Sequence, residues 1–177
     1  EIYTLSLHDA LPILAYVYGA GKGMAGEFED YLFCANVGST DVVIDHTSSN
    51  SLKEYSGTAD LIAGAVYGGG EDGHVMGNTK VTMKSGLINH SIYGAGSGKG
   101  KFEKTLPRID GTGDYTRKIY SITAGKVFGN STVEMSGGTV VRNVYGGGNM
   151  GSVGKGNYAG GTDDYSYYVA SDKTYNG

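Results

Sequence analysis

Acidic side chains in glycine-containing turns are the residues of this sequence that best fit metal chemistry. Asp110 and Asp114 flank Gly-Thr-Gly, and further acidic pairs lie at 71–72 and 163–164. Ca²⁺ takes about six to eight oxygen ligands, many of them carboxylates and carbonyls of turns. None of these pairs supplies a complete ligand series, so we interpret them as solvated loop charges. Asp110 and Asp114 are the pair to test for Ca²⁺, and no other cofactor is predicted.

Glycine-rich motifs that resemble nucleotide-binding loops occur in several places. The pattern G-x-G-x-x-G begins at Gly21, Gly68 and Gly146. A dinucleotide site needs the last glycine to open a helix whose N-terminus meets the pyrophosphate, and no helical pattern follows these motifs. The segment 94–99 (GAGSGK) lacks the first glycine of a phosphate-binding P-loop. We therefore interpret these glycines as turns.

The same glycines belong to an internal duplication. Residues 73–96 and 125–148 align without a gap and share ten of 24 positions. A signature of valine or isoleucine, then tyrosine, then glycine recurs at four places: Tyr18, Tyr67, Tyr93 and Tyr145, with Gly68, Gly94 and Gly146 following the last three. The interval from Tyr67 to Tyr93 is 26 positions and the next is 52. This spacing predicts a unit of about 26 residues, with insertions near 45–63 and 97–124.

Short strands must position these residues. Apolar and polar residues alternate in Val81-Thr82-Met83-Lys84 and again at 133–136, so Val81 and Met83 are expected on one face and Lys84 in water. A bend near 89–90 is expected to divide the following strand. Coils of three short strands that stack in parallel would place equivalent side chains in rows. The sequence thus predicts an all-β parallel β-helix, or β-solenoid.

The order of these motifs resembles a known family. V-Y-G-G-G, then G-x-V-x-G, N-T/S-x-V-x-M and S-G-G, resembles the glycine-rich repeats of large bacterial surface proteins of the parallel β-helix, adhesin-like kind. The likeness is clearest over 64–96 and 125–154. It implies a secreted or outer-surface location and a non-catalytic structural or binding role, and it supplies no catalytic residues.

Two alternatives remain open. Parallel β-helices also include polysaccharide-degrading enzymes, which require converging carboxylates. Those enzymes place a histidine and an arginine after their aspartate pair, whereas His74 and Arg142 precede 163–164 here, so we predict no enzyme. The fold alternative is a kelch-like β-propeller with blades of about fifty residues. Such blades normally carry a tryptophan, and this chain has none.

The composition of the chain argues against some classes of binding partner. The formal net charge is −4, which gives no attraction to nucleic acid or an anionic membrane. No apolar run reaches the roughly 18 residues that span a bilayer. Loops on a rigid scaffold carry recognition more often than the scaffold does. We therefore predict that the two insertions bind a glycan or a host or cell-surface protein.

The first thirteen residues, EIYTLSLHDALPI, differ from the rest. They resemble the translation of a sequencing adapter. We predict that 1–13 are non-native and that 14–177 form the repeat region, as an internal fragment of a longer protein.

Overall fold

The computed structural model describes residues 2–7, 15–26, 35–45, 62–121 and 123–154. This part of the chain is all-β, and it holds no helix long and apolar enough to cross a bilayer. Its strands have two to seven residues: β1 (Ile2–Leu7), β2 (Val17–Tyr18), β3 (Ser39–Ile44), β4 (Val66–Tyr67), β5 (Thr79–Met83), β6 (Leu87–Ile88), β7 (Ile92–Tyr93), β8 (Lys101–Pro107), β9 (Asp114–Tyr120), β10 (Ser131–Met135), β11 (Thr139–Val140) and β12 (Val144–Tyr145).

The strands form four small sheets. The long sheet has the order β1-β3-β5-β10, the tyrosine sheet has the order β12-β7-β4-β2, and the short pair is β11-β6. Strands in these three sheets pair in parallel. The fourth sheet is an antiparallel hairpin of β8 and β9. β1, which lies in the segment predicted to be adapter-derived, pairs with β3 at the edge of the long sheet.

Side chains of similar shape meet across the parallel strands. Val42 pairs with Val81, and Val81 pairs with Val133. One core cluster joins the long sheet, the tyrosine sheet and the short pair: Val17, Val42, Ile44, Ile62, Val66, Val81, Met83, Ile88 and Ile92. A second cluster forms around Val75, Ala95 and Val127. Burial of these apolar side chains is the dominant favourable contribution to folding.

The predicted alternation of the strand at 79–83 is confirmed. Val81 and Met83 are fully buried, Thr82 is partly exposed and Lys84 is exposed. The predicted division of the next strand is also confirmed, because β6 ends at Ile88 and β7 starts at Ile92, with bends at 89–90 between them. Period-two alternation therefore indicates the buried face of β5, whereas Met135, the equivalent of Met83 on the outer strand β10, is 45% exposed.

The prediction of a parallel β-helix with coils of about 26 residues is wrong, and the kelch-like propeller is wrong too. The described residues form several separate small sheets, one of them antiparallel, instead of one series of regular coils. Val66 pairs with Ile92, 26 positions later, but Val42 pairs with Val81, 39 positions later. A propeller blade requires four antiparallel strands, whereas both four-stranded sheets here are parallel. Parallel pairing requires matching side chains and does not require equal chain lengths between strands.

The hairpin also corrects the predicted insertion at 97–124. The strands occupy only 101–120, whereas Ser97 and Ala124 on either side are buried with the sheets. The other predicted insertion, 45–63, lies mostly outside the described residues.

Hydroxyl groups join the long sheet to the tyrosine sheet. Thr79 Oγ1 donates to the carbonyl oxygen of Gly94 at 2.6 Å, and Ser131 Oγ donates to Gly146 in the same way at 2.6 Å. Thr40 Oγ1 makes the corresponding bond to Gly68 O at 2.5 Å. Each hydroxyl satisfies a carbonyl group of the glycine turn that follows a tyrosine strand, so the two sheets hold a fixed relative position.

Candidate binding hairpin

The hairpin forms because its two strands alternate around a turn rich in glycine. Gly111 and Gly113 have φ values of 73° and 119°, which favour glycine. Asp110 Oδ1 accepts hydrogen bonds from the backbone N–H of Thr112 at 3.0 Å and from its hydroxyl at 2.7 Å. The backbone N–H of Arg108 donates to Gly113 O at 2.8 Å. The turn is therefore defined by its own hydrogen bonds.

One face of the hairpin is polar and exposed. Thr105 and Thr116 lie opposite each other with their hydroxyl oxygens 2.9 Å apart, and Glu103 lies opposite Lys118. Cross-strand pairs of this kind each contribute about 0.2–1 kcal/mol. The strands are thus stabilised by contacts within the hairpin itself.

The tip of the hairpin combines cationic, aromatic and apolar groups. Arg108 Cζ lies 5.8 Å from the centre of the Tyr115 ring and Arg117 Cζ lies 6.0 Å from it. Ile109 is fully exposed beside them. Arg108, Ile109, Asp110 and Tyr115 line an open concavity of about 410 Å³. Guanidinium groups held near an aromatic ring offer paired N–H donors to anions, together with a face on which a sugar ring or side chain can stack.

Buried polar contacts fix the base of the hairpin. The N–H of Gly100 donates to Asp72 Oδ1 at 2.9 Å, and Ser121 Oγ donates to the carbonyl oxygen of Gly26 at 2.7 Å. Asp72 and Ser121 are both buried. These contacts join the hairpin to the sheets while its tip remains in solvent.

The two aspartates chosen as calcium candidates lie at this tip. Asp110 and Asp114 are both exposed. The two hydrogen bonds from Thr112 lower the pKa of Asp110, because they stabilise its charged form. The Oδ1 atom of Asp110 is thus already used by the turn. In the part of the chain that the structure describes, no three His, Cys, Asp or Glu side chains gather closely enough to hold a metal ion.

The signature tyrosines lie in one stacked row, which we call the tyrosine row. Consecutive rings in the row are nearly parallel with centroids 4.8 to 5.0 Å apart: Tyr18 on Tyr67, Tyr67 on Tyr93 and Tyr93 on Tyr145. The adjacent glycines Gly68 and Gly94 lie where an added Cβ would overlap the carbonyl oxygen of the glycine on the next strand. Gly146 lies at the end of the row, where no atom of the described residues would contact an added Cβ. Offset stacking of this kind contributes about 0.5–1.5 kcal/mol per pair.

Other residues considered for catalysis are dispersed. His74 is buried and its Nδ1 lies 3.0 Å from Asn36 Oδ1, in the interior of the sheets. Arg142 Nη1 lies 2.9 Å from His90 Nε2 on a different part of the molecule. Burial, and then the charge of Arg142, lower the pKa of His90. The acidic pair at 163–164 lies outside the described residues.

Sequence reasoning missed the arrangement of Arg108, Arg117 and Tyr115. The sequence does contain a pattern that predicts this hairpin, because alternating residues flank a turn of the Asp-Gly-Thr-Gly type. It also missed Lys126, whose side chain is fully buried with Nζ 5.0 Å from the centre of the Phe128 ring. The duplication gave no signal there, since the aligned position in the first copy is His74.

Comparisons with protein-family models, with curated proteins and with solved structures gave no match to this chain.

Proposed function

We propose that this chain is a non-catalytic binding region of an adhesin-like protein that is secreted or displayed on a bacterial cell surface. In this proposal the stacked sheets act as a rigid support and the hairpin is the recognition element. The observation that carries it is the exposed tip, where Arg108, just after β8, and Arg117, on β9, both approach the ring of Tyr115. The secreted location rests on the sequence resemblance alone.

The chemistry of the tip favours an anionic glycan as the ligand. Guanidinium groups bind carboxylates and sulfates through paired hydrogen bonds, and the ring of Tyr115 offers an aromatic face to a sugar. The open concavity at the tip admits a chain that continues in both directions, as a polysaccharide does. A cell-surface protein with an acidic segment is the second partner predicted from the sequence.

The alternative function, a polysaccharide-degrading enzyme, has less support from the arrangement of the carboxyl groups. Glycoside hydrolysis requires two carboxyl groups that face the scissile bond from a fixed separation. At the hairpin tip the carboxylate of Asp110 already accepts two hydrogen bonds from Thr112 of its own turn. Asp110 and Asp114 therefore do not form a free pair of acid and base.

A glycan array tests the proposal. We expect the full chain to bind uronic-acid or sulfated glycans in preference to neutral ones, and binding should weaken with salt because exposed charges are screened. The double variant Arg108→Ala/Arg117→Ala should lose this binding, and Tyr115→Ala should weaken it. Lys118→Ala, on the opposite face of the same strand, is the matched control and should bind like the wild type.

The same array separates the alternatives. Equal binding of neutral and acidic glycans, or full binding by the double arginine variant, would refute a role for the tip. Release of reducing sugar ends would favour the enzyme. Repeating the array with Ca²⁺ and then with a chelator tests the calcium hypothesis for Asp110 and Asp114.

A further inference from the structure

Among the described residues the tyrosine sheet ends in two outer strands whose edges match each other. β2 and β12 are its outer strands, and both carry Val-Tyr-Gly, at 17–19 and 144–146. Inside the sheet the same tripeptide already pairs in parallel, since Val17 lies opposite Val66. The two outer strands therefore have the residues and the direction that the sheet uses internally.

Hydrogen bonds across this sheet follow the parallel pattern, in which each strand both donates to its neighbour and accepts from it. The N–H of the glycine after each tyrosine donates to the carbonyl oxygen of the tyrosine on the next strand, at 2.8 to 2.9 Å: Gly19 to Tyr67, Gly68 to Tyr93 and Gly94 to Tyr145. At β12 the corresponding donor is the N–H of Gly146, which has no acceptor among the described residues. At β2 the corresponding acceptor is the carbonyl oxygen of Tyr18, which has no donor among them. The N–H of Gly146 at the β12 edge of one copy thus complements the carbonyl oxygen of Tyr18 at the β2 edge of another.

Apolar side chains at the β12 edge lack the cover that their counterparts have. Val144 and Tyr145 are each 43% exposed, whereas Val66 is 0% and Tyr67 is 2% exposed. An added β2 strand in the register of the sheet would place Val17 against Val144 and Tyr18 against Tyr145. Both pairs reproduce contacts that the chain makes internally.

Gly146 gives an independent indication that a further strand is added beside β12. Its counterparts Gly19, Gly68 and Gly94 each lie against the carbonyl oxygen of the next strand, where a Cβ would not fit. Among the described residues nothing lies within 4 Å of a Cβ at Gly146, and its backbone is outside the left-handed region that favours glycine. Glycine at such a position destabilises a strand by about 0.5–1 kcal/mol relative to alanine. A strand added at β12 would bring the carbonyl oxygen of Gly19 against it and would require the glycine.

We propose that copies of this chain associate head to tail, with β2 of one copy added in parallel to β12 of another. Tyr18 of the added copy stacks on Tyr145, so the tyrosine row continues from copy to copy. Because the contact joins two different edges, each added copy presents a new β12 edge, and addition in the register of the sheet produces linear assemblies. The long sheet has the same arrangement, with β1 and β10 as its outer strands.

Sedimentation velocity of the full chain tests this proposal. We expect the wild type to form elongated species that grow with concentration. Gly146→Ala should sediment as a monomer at the same concentrations, with an unchanged thermal unfolding temperature, because its Cβ meets no atom of the described residues of the same copy. Val144→Lys should also block assembly, since lysine on an edge strand opposes pairing. Lys118→Ala, on the hairpin, is the control and should assemble like the wild type.

Mixing Gly146→Ala with the wild-type chain distinguishes this head-to-tail contact from a symmetric one. Gly146→Ala keeps a competent β2 edge, so substoichiometric amounts should shorten wild-type assemblies by ending them. A wild type that stays monomeric at every concentration overturns the proposal. So does assembly of Gly146→Ala and Val144→Lys to the wild-type extent. If Gly146→Ala does not fold, the result for Val144→Lys decides.

Discussion

The rings of Tyr67 and Tyr93 stack with centroids 4.9 Å apart and planes only 7° from parallel. Their backbones pair directly, in the tyrosine sheet, so the stacking follows from the parallel register of β4 and β7. The ring of Tyr67 is covered on its other side by Tyr18. It is therefore the most enclosed member of the tyrosine row.

Tyr67→Ala should lower the free energy of unfolding by about 3–5 kcal/mol, the usual cost of removing a buried aromatic side chain. Tyr145→Ala is the control, because Tyr145 is at the end of the row and is 43% exposed. It should cost about 1 kcal/mol. Urea denaturation followed by circular dichroism measures both values, and equal losses would contradict a row that is enclosed at Tyr67.

Gly68→Ala should destabilise the fold by about 1–3 kcal/mol, because its Cβ would overlap the carbonyl oxygen of Gly94 and force the strands apart. Thermal unfolding measures the effect. Gly147→Ala, measured at a low concentration where the chain is monomeric, is the comparison, since no atom of the described part of the chain lies within 4 Å of a Cβ at Gly147. A tolerated alanine at 68 would show that the spacing of β4 and β7 is not fixed as described.

Thr79→Val removes the hydroxyl that donates to Gly94 O while keeping the shape of the side chain. Thr79 is 1% exposed, so the lost bond leaves a carbonyl group in the interior with one partner fewer. We expect a loss of about 1–2 kcal/mol in the free energy of unfolding. Thr79→Ser keeps the donor and should recover most of the hydrogen-bond contribution, and a loss as large as that of Thr79→Val would argue against this role.

Lys126 should make stability depend on pH. Burial lowers the pKa of Lys126 from 10.5 to about 8 in the folded chain. Between these two values the unfolded chain binds more protons than the folded chain, so stability should rise as pH increases above about 8. Burial also raises the pKa of Tyr18 from 10.0 to about 12, and this opposes the rise above about pH 10.

Urea denaturation between pH 7.5 and about 9.5 isolates the lysine from the tyrosine. In Lys126→Met the rise should disappear, whatever the change in absolute stability. A variant that keeps the same slope as the wild type would assign the pH dependence to other groups.

Removal of the hairpin strands should leave the parallel sheets folded. Replacement of 101–120 by a short turn should leave cooperative unfolding intact, because the strands of the hairpin pair only with each other. Replacement of 97–124 removes Ser97 and Ala124, which are buried with the sheets, and should destabilise the chain clearly more. If the shorter deletion abolishes cooperative unfolding, the hairpin is part of the folding unit.

The sequence revealed the buried faces of the strands but not their arrangement in sheets. Val81 and Met83 were assigned to the interior from alternation alone, since the two faces of a strand differ in polarity. The 26-residue spacing led to a regular coil, whereas the pairing of Val42 with Val81 across 39 positions has no counterpart in that period. Register follows from which side chains fit together in three dimensions, and a single sequence does not state this.

The sequence predicted only some of the residues of the candidate site. Asp110 was named from its turn, but its carboxylate serves Thr112, a local contact that spacing cannot distinguish from metal binding. The approach of Arg108 to Tyr115 depends on the antiparallel register of β8 and β9, whereas Arg117 shares a face of β9 with Tyr115. Lys126 was not considered, because a charged residue in the sequence is expected at the surface.

The stacked phenol rings also determine how the molecule interacts with light. The chain contains 15 tyrosines and no tryptophan, so no indole group dominates its near-ultraviolet absorption and emission. Four of these chromophores are held in contact and nearly parallel, so their electronic transitions couple and excitation migrates along the row. The near-ultraviolet dichroism and the depolarised emission of the chain should therefore report the integrity of the tyrosine sheet without any added label.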